Sequence, residues 1–351
     1  MGVWGLRPQR GPGAEPLAFL ALPLRLASSV SSRQAFWRVI GFAVLVLSLA
    51  ATAFMVVWWG AADIGAAVWR ALPALPAALA VHGVQLTLSG IGWWLLLPTP
   101  RPSLLAPVRA RWVREAVNTV LPLAGVTGAV AATRLLARDT GMTMAAATAS
   151  TTIDLTCEAA AQAPYLALAL AAVALLAPGH LSPGRAALAI LPITAGAVAF
   201  VIAQRAGMMR LFERAARALG AGAAMEGLHD GLMALHARRG SIASALAVHT
   251  TSWSLGGAEV WVIMRAIGHP VGPGASFAIE GLGMAARSAG FALPAGLAAQ
   301  EAGFVIAGAL FGIGAADAVA LSMVKRVREL VVGVCGVAFW QAVLWGRRWR
   351  R

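Results

Sequence analysis

Thr151, Asp154, Glu158 and Gln162 follow one another at steps of three, four and four residues in a stretch otherwise rich in Ala and Leu. On a helix that spacing aligns them as one polar stripe. Two carboxylates so placed are either protonated or hydrogen-bonded inside a bundle, or they line a polar cavity. His249, Ser252, Gly256 and Glu259 form a comparable stripe, although His249 alone fits a satisfied core histidine. Arg114 and Asn118 share a helix face, as do Glu280 and Arg287 two turns apart. A guanidinium suits bidentate contact with phosphate or carboxylate. These arginines therefore either pair with a buried Glu or receive an anionic head group. Lys325, Arg326, Arg328 and Glu329 bring three cations and an acid together, for which a solvated, snorkelling cluster near a span end is the default.

The surroundings of these residues give them weight. Seven of the fourteen acidic residues lie inside or at the edge of long apolar segments: Glu115, Asp154, Glu158, Glu259, Glu280, Glu301 and Glu329. Arg114, Arg134, Arg287 and Arg326 accompany them. An ionisable group at membrane depth costs from a few kcal/mol upward, so it faces a bundle interior or a wet cavity and marks a path for substrate or ions.

The 351-residue chain is 59% hydrophobic and 12% charged, which excludes an ordinary soluble domain. Stretches such as 36–59 and 72–97 exceed the ~20 apolar residues that cross ~30 Å of hydrocarbon. The fold class is therefore all-α, a polytopic membrane bundle, because a spanning backbone must satisfy its own hydrogen bonds. About six crossings are expected, at 36–60, 72–97, 144–177, 186–204, 241–266 and 319–346. The third carries Pro164 and is expected to kink or break there. A basic tail, 1–35, precedes a single membrane domain, 36–346, whose halves 36–204 and 241–346 are joined by the basic loop 205–240. That loop is either an amphipathic surface helix or a packed connector.

Two further apolar segments, 112–133 and 274–314, are punctuated by Gly, Pro and charge. Asn118–Gly125 parallels Gly290–Gly296, each with an arginine upstream, Arg114 or Arg287. Paired interruptions of this kind point to a midplane site in transporter folds. With both termini and the loops 99–114 and 205–240 cytoplasmic, the first segment dips in from the cytoplasm and the second from the opposite side.

The net charge of +14 does not point to nucleic acid. The cations gather in loops and tails, as in cytoplasmic segments under the positive-inside rule. Trp58, Trp59, Trp93, Trp94, Trp345 and Trp349 stand at span ends, as an interfacial belt would. The N-terminus does not have the pattern of a cleavable signal peptide. Cys157 and Cys335 fit small buried hydrophobes, and neither a metal nor a cofactor is expected. No phosphate-binding loop is present, so no nucleotide motor is visible.

Two stretches together carry a resemblance. One is Asn118–Gly128 running into Arg134, then Ala146–Gln162 with Asp154 and Glu158. The other is Leu293–Gly303 with Pro294, Gly296, Gln300 and Glu301, followed by Leu310–Gly312 and Lys325–Leu330 with Arg326, Arg328 and Glu329. They resemble the flippase-like family, also called the lysylphosphatidylglycerol synthase transmembrane region, and most closely its hopanoid-biosynthesis-associated branch. The likeness covers about residues 36–346. It places Pro122, Gly125, Gly128 and Arg134 in the first interrupted segment and Pro294, Gly296, Gln300 and Glu301 in the second. The chain departs from the family pattern at Ala129, Ala295 and Ala299.

The resemblance implies a lipid-binding or lipid-translocating protein of a bacterial inner membrane. Its ligand would be a hopanoid, a hopanoid-linked lipid or an anionic phospholipid, with lipid-biosynthesis proteins as further partners. The soluble aminoacyl-transfer domain is not expected, so the chain should not make aminoacylated lipid by itself. Two rival readings are an intramembrane enzyme that uses Asp154, Glu158 or Glu301 as acid or base, and a non-catalytic scaffold for lipid synthesis.

Overall fold

The computed structural model describes residues 57–58, 60–120, 126–179, 182–208, 210–211, 213–214, 226–289 and 299–345. Among them every regular element is a helix. The expected first crossing, 36–60, lies almost wholly outside the described residues.

Helices α1 (Ala61–Ala71) and α2 (Leu75–Leu96) run on through a 3-10 turn at Leu72–Ala74, where Pro73 and Pro76 each start a helical turn. The expected span at 72–97 is thus part of a 36-residue segment, Ala61–Leu96. Helix α5 (Met144–Leu176) has 33 residues. By length and composition, both segments are able to cross a membrane. Thr143 caps α5 by accepting from the Ala146 amide at 3.2 Å. Within α5, the hydroxyls of Thr148, Thr152 and Thr156 donate to carbonyls four residues earlier, so polar residues sit on an apolar helix without orphan donors. The helix continues through Pro164 without the expected break.

Helix α6 (Pro183–Ala203) is capped by Ser182 and ends in a π-helical turn, Gln204–Met208. In the basic loop, α7 (Leu228–Ala237) buries Leu228 and Leu232 against Ala145, Ala149 and Ile153. This part is a packed connector; most of 208–219, whose spacing suggested the surface helix, and all of 215–225 lie outside the described residues. The expected crossing at 241–266 is two helices, α8 (Arg239–Ser254) and α9 (Gly256–Ile267), which meet at Leu255.

The two interrupted segments are helical hairpins. The first consists of α3 (Leu105–Val120) and α4 (Val126–Thr140), and the second of α10 (Pro273–Ala289) and α11 (Ala299–Ala309). Their connections, 121–125 and 290–298, lie outside the described residues. A long helix follows each hairpin: α5 after the first and α12 (Ala315–Trp345) after the second.

Contacts at the two ends of the bundle fix the hairpins' direction. At one end Arg238 donates to the Leu96 and Leu97 carbonyls, both at 3.1 Å, and Leu96 packs with Ala145. At the other Arg70 donates to the Ile267 carbonyl at 2.9 Å, and His269 meets Asp317 at 3.1 Å. The first hairpin leaves α2 and returns to α5 at the Leu97 end. The second leaves α9 and returns to α12 at the Ile267 end. The hairpins enter from opposite ends, as the inverted pair read from the sequence requires.

Candidate functional site

Each hairpin is closed by a small residue. The Gly128 amide donates to Asn118 Oδ1 at 3.1 Å, so Asn118 bonds across the arms rather than facing a ligand. A Cβ at position 128 would stand 2.3 Å from both the Arg114 carbonyl and Asn118 Oδ1, so only glycine fits. In the second hairpin a Cβ at Gly303 would stand 2.5 Å from that of Ala286. Close backbone approach through small residues is how helices pack where no hydrophobic gain is available.

This packing brings the first arms, α3 and α10, against the long helices. Arg114 donates to Asp154 at 2.7 Å and through its other nitrogen to Glu158. It lies 5.6 Å over the ring of Trp93, which is fully buried rather than part of an interfacial belt. Arg111 bridges Glu158 at 3.0 Å and Glu115 at 3.2 Å. Glu115 meets His82 Nε2 at 2.5 Å, and Asp154 meets His249 Nε2 at 3.1 Å.

A second group surrounds α12. Lys325 donates to Glu259 at 3.1 Å and to Glu280 at 2.9 Å, and Arg328 grips Glu259 with two bonds of 2.8 and 3.0 Å. Arg287 donates to Glu329 at 2.7 Å and to Gln300 Oε1 at 3.1 Å. Arg326 joins Glu329 at 3.0 Å to Glu301 at 3.2 Å, and Ser322 also donates to Glu301.

The expected snorkelling cluster is therefore not a surface feature. Lys325 and Arg328 are 2% and 5% exposed. Lys325 stands ten residues into α12, ~15 Å along it at ~1.5 Å per residue. A cluster buried in this way survives only by internal pairing.

The two groups form one network. Arg287 and Arg328 are within electrostatic reach of Glu115. The α5 stripe touches both hairpins: Thr151 bonds Thr133 at 2.8 Å, Asp154 and Glu158 hold Arg114, and Gln162 accepts from Ser288 at 2.8 Å. Every acid singled out in the sequence is in this network. Of the four accompanying arginines, Arg134 lies instead on the exposed side of α4. Pro122, Gly125, Pro294 and Gly296 lie outside the described residues.

Sequence reasoning missed His82 and Arg111. The spacing of Arg111 and Glu115, four residues apart before an apolar run, was the available signal for one of them. His82 offered none, because its partner is on another helix.

A family model, that of the lysylphosphatidylglycerol synthase TM region, matches residues 39–336. The chain belongs to this family. It is thus a membrane protein of a lipid-related family, and the matched region contains both hairpins, α5 and the whole Lys325–Glu329 cluster. No curated protein and no solved structure matches the chain.

In this lysylphosphatidylglycerol-synthase-type membrane region, an apolar groove of about 330 Å³ runs beside the network. Leu79 and Leu86 of α2, Val108 and Trp112 of α3, and Val331 and Cys335 of α12 line it. Cys335 is exposed there, against the expectation of burial, whereas Cys157 is buried. His82 lies one turn from Leu79 and Leu86, Glu115 three residues from Trp112, and Arg328 three residues from Val331. Charged residues thus stand within one helical turn of the groove's lining.

Proposed function

We propose that this protein binds a membrane lipid and moves it across, or hands it on within, a bacterial inner membrane. The ligand class is a hopanoid, a hopanoid-linked lipid or an anionic phospholipid. The observation that carries this reading is the apolar groove beside the buried ionic network, which suits a molecule with an apolar body and a polar head.

A polar head crossing hydrocarbon loses its hydrogen bonds at several kcal/mol per unsatisfied group. The network offers replacements at the depth where the barrier is highest. A phosphate or carboxylate would take the place of Glu158 at Arg114, or of Glu329 at Arg287, because a guanidinium donates to the oxygens of either anion. Arg326, Arg328, Gln300 and Glu301 would then rearrange around it. Asn118 and Gly128, with Pro122, Gly125, Pro294 and Gly296 of the connecting sequences, would keep the two first arms at that depth. Arg134, on the exposed side of α4, would meet the head at the surface. In this reading the protein is multi-pass, has both termini in the cytoplasm and uses no cofactor.

Purified protein in liposomes with a fluorescent phosphatidylglycerol tests the reading. Bleaching of the inner-leaflet label by an external reductant indicates translocation. A chemically altered lipid indicates the intramembrane enzyme instead, and neither outcome indicates a scaffold.

A further inference from the structure

Among the described residues, the network sets seven carboxylates against six lysine and arginine cations. The carboxylates are Glu115, Asp154, Glu158, Glu259, Glu280, Glu301 and Glu329. The cations are Arg111, Arg114, Arg287, Lys325, Arg326 and Arg328. One negative charge is left over at a depth where an unbalanced charge is costly. The connecting sequences 121–125 and 290–298 contain no ionisable side chain to offset it.

His82 is placed to supply the balance. Its Nε2 faces Glu115 at 2.5 Å and its Nδ1 faces Gln85 Oε1 at 3.3 Å. Gln85 Nε2 donates to the Ser252 carbonyl at 3.0 Å, which turns the amide oxygen toward the ring. Two acceptors on two ring nitrogens call for two N–H donors, the arrangement of an imidazolium. Arg111 stands behind Glu115, and Glu259 is also within electrostatic reach of the ring. With all seven carboxylates ionised and His82 charged, the empty network is neutral.

His249 is built differently. It is 0% exposed, its Nε2 meets Asp154 Oδ1 at 3.1 Å, and its buried Nδ1 has no partner. One acceptor needs one N–H, so Nδ1 carries a free lone pair. The charged groups around the ring are Asp154 and, at longer range, Glu158, both on α5, with Arg114 behind Asp154. Helix α2 presents Gly92 to it, and the nearest charge on α8 itself is Arg239, ten residues away.

An anionic head that enters this neutral network adds one negative charge. We infer that His249 Nδ1 takes up one proton as the head enters, so that lipid and proton cross together as an electroneutral pair. The proton bonds to the Nδ1 lone pair on the entry side and is released to water on the exit side with the head. The inference rests on the lipid-moving reading and gives that movement a driving force, the proton gradient. It predicts a response to pH difference and none to voltage, because no net charge crosses.

Two measurements on the full chain test it. The first uses phosphatidylcholine vesicles with trace fluorescent phosphatidylglycerol and an imposed difference of ~1 pH unit, which shifts the final leaflet ratio by up to ~tenfold for one proton per lipid. A potassium diffusion potential should leave that ratio unchanged, and fluorescent phosphatidylcholine, whose head is neutral overall, should stay evenly distributed. His249→Gln should abolish the shift, whereas His269→Gln, at the Ile267 end and outside the network, should retain it. The second is nitrogen NMR of ¹⁵N-histidine-labelled wild-type protein, which needs no variant to fold. His249 should gain its second proton only when phosphatidylglycerol is added. Lipid that redistributes without regard to pH, or a His249 unchanged by phosphatidylglycerol, overturns the inference and leaves the lipid-moving reading standing. If no lipid moves although His249 takes up the proton, the lipid-moving reading falls and the proton site remains.

Discussion

Arg287 donates to Glu329 at 2.7 Å and so ties the first arm of one hairpin to the long helix that follows it. Arg114 donates to Asp154 at the same distance and does the same in the other half. Each arginine stands seven or eight residues before a proline in the sequence that joins the two arms, Pro294 or Pro122. The two halves therefore repeat a helix, a hairpin and a long helix, and also the ion pair that docks hairpin to helix. A buried pair of this kind adds little net stability over apolar packing, but it becomes very unfavourable when one partner is removed.

That asymmetry gives the first prediction. Arg114→Met and Asp154→Leu should each destabilise the protein by up to ~3–5 kcal/mol, because each leaves a buried charge without its main partner. The double variant should recover most of that loss, yet it should not move lipid. Thermal unfolding in detergent, paired with the liposome assay, measures both. A double variant whose loss equals the sum of the singles shows that the two residues do not act as a pair.

The second hairpin carries its own test. Glu301→Gln keeps the shape and acceptor oxygen of a side chain that Ser322 and Arg326 contact, but removes its charge. Arg287→Ala removes a planar donor suited to phosphate. Both variants should reach the membrane and both should transfer lipid more slowly. If both transfer at the wild-type rate, the second hairpin is packing only and the two-hairpin site must be given up.

Hairpin closure can be probed apart from charge. Gly128→Ala places a methyl group 2.3 Å from the Arg114 carbonyl, a backbone atom that cannot rotate away. Asn118→Ala removes only the bond that holds the Gly128 amide, worth ~1–3 kcal/mol when a buried donor is orphaned. The alanine at 128 should therefore lower the amount of folded protein in the membrane more than the alanine at 118. Equal loss, measured by fluorescence-detected gel filtration, means that the arms are not in contact there.

The parts of the fold that were legible in the sequence are those governed by local pattern. Apolar length gave the helices, and Pro and Gly gave the hairpins. The stripe spacing from Thr151 to Gln162 gave a helix face that does touch both hairpins. Long-range pairing was not legible. Lys325 has the sequence surroundings of a snorkelling side chain, and its burial follows from Glu259 and Glu280, which lie 66 and 45 residues away. Trp93 likewise sits near a helix end but is turned inward by Arg114. The break at Leu255 has no Pro and only Gly256 and Gly257 after it, which are common in membrane helices.

The inverted arrangement makes a prediction that depends on neither lipid nor the buried network. Arg238 and Leu97 mark one end of the bundle, and Ile267, His269 and Asp317 mark the other. Arginine is concentrated in the chain near the first end, from Arg101 to Arg111 and from Arg205 to Arg239, so that end should face the cytoplasm. Ser103 and His269 are exposed and sit in the connections at the first and second ends. In a protein freed of Cys157 and Cys335, Ser103→Cys should react with a membrane-impermeant maleimide only after the cells are opened. His269→Cys should react in intact spheroplasts, because the second hairpin starts from its side. Labelling both from the same side would require the hairpins to enter from one face. The network would then be reached from one aqueous phase alone, and a path across the membrane through Arg114 and Arg287 would be excluded.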